Sequence, residues 1–187
     1  MSQSRIEPRN ETAMTGVVPR IASWTAALEA GAVTGASGAV LMLAVLMAQS
    51  AVTGYGALFP LNLIGATFRG PEALVGGAGV MLTGLFLHAV VSLIFGTLFS
   101  IAVIRRPRVA PTLVVGIAYG LLILLFMNYV VLPYANPMMR QRVVATPGAW
   151  FFAHVAFGLG VGLAPLIKQL FKPRRASDGE PIVSATE

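Results

Sequence analysis

Apolar positions fall into four long runs, and most of the charge lies in the segments between and beyond them. A helix rises about 1.5 Å per residue, so about twenty apolar residues cross the roughly 30 Å hydrocarbon core of a bilayer. The pattern predicts spans at about 25–51, 75–103, 112–132 and 148–171, within a membrane domain of residues 21–172. Residues 1–20 and 173–187 are mixed and polar and read as disordered ends.

Small and polar residues inside the runs keep helical spacing. Gly31 and Gly35 in the first span, and Gly116 and Gly120 in the third, are GxxxG pairs. The second span carries Gly84, His88, Ser92 and Gly96, and the fourth carries His154, Gly158 and Gly162, each four apart. Residues four apart share one helix face, so these stripes should turn toward other helices and allow close backbone approach. Packing within the bundle is the plainer use of such faces. A homo-oligomer or another membrane protein docking on them is the alternative. Asn128 and Tyr129, near the end of the third span, are candidates to join His88, Ser92 and His154 in a buried polar centre.

The connections differ in kind. Thr53-Gly54-Tyr55-Gly56 should end the first helix. Residues 55–70 are too apolar for a solvated loop and too short to span, which predicts a short interfacial or re-entrant helix. Residues 133–147 read as a Pro-rich loop, and Trp24 and Trp150 as interface anchors.

A longer pattern links the halves. Phe86-Leu87-His88 precedes Arg106-Pro107 as Phe152-Ala153-His154 precedes Lys172-Pro173, with the basic residue 18 positions after each His. Each half thus offers a GxxxG helix followed by an F-x-H helix. Two spans per half predict two tandem hairpins related by a pseudo-two-fold axis along the membrane normal, with both imidazoles at matching depth.

Composition agrees with the hydropathy. Of 187 residues, 56% are hydrophobic and 11% charged, and the mean hydropathy is +0.79. The net charge of +6 does not suggest nucleic acid, because the basic residues flank apolar runs. Ten of the thirteen basic residues lie in the N-terminal lead, the Arg105-Arg106-Pro107-Arg108 turn and the C-terminal flank, which predicts both termini in the cytoplasm. The absence of Cys excludes disulfides and thiolate chemistry.

Two imidazoles in apolar helices admit several uses. The plain one is hydrogen bonding across helices to Asn128, Tyr129, Ser92 or a backbone carbonyl. A proton relay through His88, Asn128 and His154 is a second. Ligation of haem b by His88 and His154 is a third, set against the absence of further paired His. No metal site is expected, since two imidazoles without a nearby carboxylate or thiolate leave a coordination shell unfilled. Glu29 and Glu72 are the only carboxylates near the membrane region, and no nucleophile elbow, zinc motif or phosphate loop is present. Glu29 is expected to reach water at the inner edge of the first span.

The run Leu87-His88-Ala89-Val90-Val91-Ser92-Leu93-Ile94-Phe95 resembles bacterial YagU-like inner-membrane proteins and related uncharacterised four-span families. So do Gly116, Gly120 and Pro133 in the next helix, and Phe152-Ala153-His154 at the opening of the last. The resemblance covers roughly residues 84–160 and implies an inner-membrane location, without an established activity. Asn128 stands where a family member can carry a third-span His, which departs from any pattern needing a third imidazole.

The expectation is therefore an all-α integral membrane four-helix bundle with one extra interfacial segment and no cofactor. Its expected role is that of a non-enzymatic accessory or structural membrane subunit. A small transporter or proton-conducting module is the first alternative and a haem b electron-transfer subunit the second.

Overall fold

The structure, a computed structural model, describes residues 18–103, 109–163 and 166. The N-terminal lead up to residue 17, the Arg105–Arg108 turn, the end of the expected fourth span and the C-terminal tail lie outside the described residues. All regular structure described is helical. The order is α1 (Val18–Val52), α2 (Phe59–Arg69), a 3₁₀ turn (Pro71–Val75), α3 (Ala78–Val103) and α4 (Val109–Phe126). A π turn (Met127–Val131) joins α4 to α5 (Leu132–Ala135), and α6 (Pro137–Ala145) and α7 (Pro147–Gly162) follow. Residues 18–20, expected in the disordered lead, form the first turn of α1.

Three stretches are long and apolar enough to cross a membrane: Leu28–Val52, Ala78–Ala102 and Val109–Ala135. A fourth is added if α6 and α7, bent by 101° at their junction, count as one. Prolines sit in the first turns of the helices that contain them, with Pro133 in α5 and Pro147 in α7, where a missing N–H costs little. Glycines close the other ends. Gly54 and Gly56 at φ 83° and 86° turn the chain after α1. Gly76 and Gly77, also left-handed, delay α3 to Ala78, three residues past the expected start.

Glycine sets which helices touch. A Cβ on Gly35 would lie 2.6 Å from Ser92 O, so α1 and α3 meet backbone to backbone. One on Gly158 would lie 2.7 Å from Ile117 Cα, which joins α4 to α7. One on Gly160 would lie 2.6 Å from Gly38 Cα, which joins α7 to α1. Polar side chains reinforce these seams. Thr34 Oγ1 bonds Ala30 O, Gly31 O, Gly96 O and Ser100 Oγ, and Ser37 Oγ donates to Gly160 O at 2.8 Å.

Each hairpin thus pairs through glycine, as the repeated pattern suggests. The contact between hairpins is not two-fold, however. The α1–α7 seam has no counterpart between α3 and α4, which touch at few points. Gly84 also leaves the expected bundle-facing stripe: its Cβ would meet the Leu61 carbonyl, because α2 packs against the start of α3.

The segment expected to be a Pro-rich loop, 133–147, is mostly helical. Asn136 explains how. Its Oδ1 accepts from Met139 N at 2.9 Å and caps α6, whose first residue is Pro137. Its Nδ2 donates to Leu63 O and Thr67 Oγ1, both at 2.9 Å, and so ties α2 to the α5–α6 corner.

Candidate functional site

Because α3 and α4 do not close against each other, a cavity of about 260 Å³ lies between them. Its walls come from every helix and the π turn, with Met, Leu, Val and Phe side chains predominating. His88, Ser92, Asn128 and His154 all line it, so four of the five expected polar-centre residues share one space. Tyr129 does not: it is 66% exposed and faces outward. A step of one residue turns a helix by about 100°, so Asn128 and Tyr129 cannot share a face. The same geometry turns Phe86 and Phe152, each two positions before a histidine, to the exposed side.

The two imidazoles are held differently. His88 Nε2 donates across helices to Ala39 O on α1 at 3.0 Å. His154 Nδ1 donates to Trp150 O in its own helix at 2.8 Å. A carbonyl oxygen only accepts, so these bonds fix which nitrogen of each ring carries hydrogen. Both histidines and Ser92 are buried. Asn128 is half-buried, and its Oδ1 is buried with no partner.

The backbone at Asn128 is distorted for a sequence-encoded reason. In the π turn the Leu132 N–H reaches Met127 O, five residues back. The next donor in that register would be residue 133, which is Pro and has no N–H. Arg140 Nε fills the gap by donating to Asn128 O at 3.2 Å. Single π turns of this kind favour functional positions in helices.

Trp150, expected at an interface, is only 4% exposed. It lines the large cavity and also a smaller one of about 50 Å³ next to Arg142, so with Leu46 it forms the partition between them. Arg142 lies over the Tyr55 ring at 3.9 Å and donates to its hydroxyl at 3.0 Å, which fastens the α1–α2 connection to α6. Glu29 is exposed, one residue inside the start of the apolar stretch Leu28–Val52.

Among the described residues no group of three or more His, Cys, Asp or Glu could hold a metal ion. The two imidazoles do not offer a haem a matched pair of ligands: Nε2 of His88 is held by Ala39 O, whereas His154 is held through Nδ1 by Trp150 O. The glycines expected for packing, Gly31, Gly35, Gly84, Gly96, Gly116, Gly120, Gly158 and Gly162, all meet another helix of this chain. A partner seated on them would have to displace one.

Sequence reasoning missed Thr34, Ser100, Asn136 and Tyr119, whose hydroxyl donates to Phe95 O at 2.8 Å across the α3–α4 gap. Signals existed for three. Ser100 continues the Gly84, His88, Ser92, Gly96 spacing, Thr34 is three residues past Gly31, and Asn136-Pro137 has the form of a helix start. No protein family, curated protein or solved structure matches the chain.

Proposed function

We propose that this chain is a non-enzymatic, four-span protein of a bacterial inner membrane with both termini in the cytoplasm, and that it acts as an accessory module that holds an apolar small molecule. The cavity between α3 and α4 carries the reading. It is about 260 Å³, is lined without a single Asp, Glu, Lys or Arg, and lies between two helices that touch at few points. A space of that character in a lipid-facing bundle suits a molecule that partitions into the bilayer. The resemblance of residues 84–160 to YagU-like proteins supports the inner-membrane placement, and the flanking basic residues support the orientation.

The test is to purify the protein in mild detergent, release bound molecules by denaturation, and identify them by mass spectrometry. A Val91→Phe/Leu124→Phe variant, which fills the cavity from both walls, serves as the comparison. The wild type should release a stoichiometric compound that the filled variant lacks. Identical extracts from the two would overturn the proposal.

A further inference from the structure

We infer that the occupant of the α3–α4 cavity is a neutral, hydroxyl-bearing amphipath: an apolar ring with a short chain whose alcohol or phenol group lies against His88 and His154. This rests on the binding reading above. The hydrogen bonds to Ala39 O and Trp150 O use Nε2 of His88 and Nδ1 of His154. Each neutral ring therefore keeps one lone pair, on Nδ1 of His88 and on Nε2 of His154. No donor among the described residues meets either nitrogen. Asn128 Oδ1 is a third acceptor without a partner. The Ser92 hydroxyl, also in the wall, can donate or accept.

The wall thus holds donors, in the Ser92 and Thr67 hydroxyls and Asn128 Nδ2, beside three acceptors that no donor among the described residues meets. A ketone or an ether can accept from these donors but leaves both ring nitrogens without one. A hydroxyl donates to one imidazole and accepts from Ser92 in return. Ionic head groups are disfavoured, because the wall has no charged side chain to pair with them and an unpaired buried ion is costly. Size narrows the class further. A cavity of about 150 Å³ takes benzene, so about 260 Å³ takes a ring with a short chain.

The experiment uses the full chain in lipid nanodiscs with Trp24→Phe, which leaves Trp150 as the single tryptophan. Emission is titrated with 4-hexylphenol and with 4-hexylanisole, the same body without the donor, compared at equal mole fraction in the bilayer. The phenol should bind roughly threefold to tenfold more tightly, the yield of one neutral hydrogen bond. A His88→Phe/His154→Phe variant should erase that preference. Should that variant fail to fold, the single His88→Phe and His154→Phe variants should each reduce it, and a preference unchanged in both would overturn the inference. Equal saturable binding of both compounds would overturn the hydroxyl inference and leave the apolar cavity standing. If neither compound saturates, the binding reading itself is overturned.

Discussion

At the scale of single residues, Asn136 carries more of this structure than its position in a short connection suggests. One buried amide caps α6 and bonds two groups of α2. Asn136→Ala removes the cap, worth about 0.5–2 kcal/mol, and strips the Leu63 carbonyl of a donor, worth about 1–3 kcal/mol more. Thermal unfolding in detergent should show a clear drop in midpoint. Asn136→Asp, which keeps the acceptor for Met139 N but loses the donor, should fall between. Equal midpoints for wild type and Asn136→Ala would contradict the tie between α2 and the α5–α6 corner.

At the scale of helices, close approach through glycine decides the architecture, and the same substitution should have opposite effects at two sites. A Cβ on Gly160 would lie 2.6 Å from the Gly38 backbone, whereas one on Gly148, in the first turn of the same helix, would meet nothing within 4 Å. Gly160→Ala must push α7 off α1 and should lower stability by about 1–3 kcal/mol. Gly148→Ala should leave it unchanged or raise it by up to about 1 kcal/mol, because alanine favours the helix. Paired unfolding curves in one detergent check both signs. Much of this level was legible in the sequence, since four-residue spacing of Gly, His and Ser marks an inward face whatever the partner. Which partner each face meets was not. Gly84 and Gly96 look alike along the chain, yet one packs on α2 and the other on α1. Trp150 was misplaced for a similar reason. Hydropathy locates it near the end of an apolar run, but the sharp α6–α7 bend brings α6 over it and buries it.

At the scale of the whole molecule, unequal packing between the α1–α3 and α4–α7 pairs creates the cavity. Had α3 and α4 met as α1 and α7 do, the space holding His88, Asn128 and His154 would be filled. No sequence pattern states that a contact is missing, so the pairing of the two histidines was legible and the opening beside them was not. The absence of Cys makes orientation simple to test. Single cysteines at Ser4, Arg106 and Ser184 should react with a membrane-impermeant maleimide only after the cells are opened, and one at Tyr55 should react in intact spheroplasts. The reverse labelling pattern would invert the proposed topology.

The most direct test of the cavity reads Trp150 itself, in Trp24→Phe protein held in nanodiscs and titrated with 1-bromohexane, an apolar heavy-atom quencher. Trp150 lines the space while remaining almost wholly shielded from the surface, so the account predicts quenching that saturates and that Val91→Phe/Leu124→Phe abolishes. Quenching that rises linearly with the quencher in the bilayer, to the same extent in the filled variant, would contradict it.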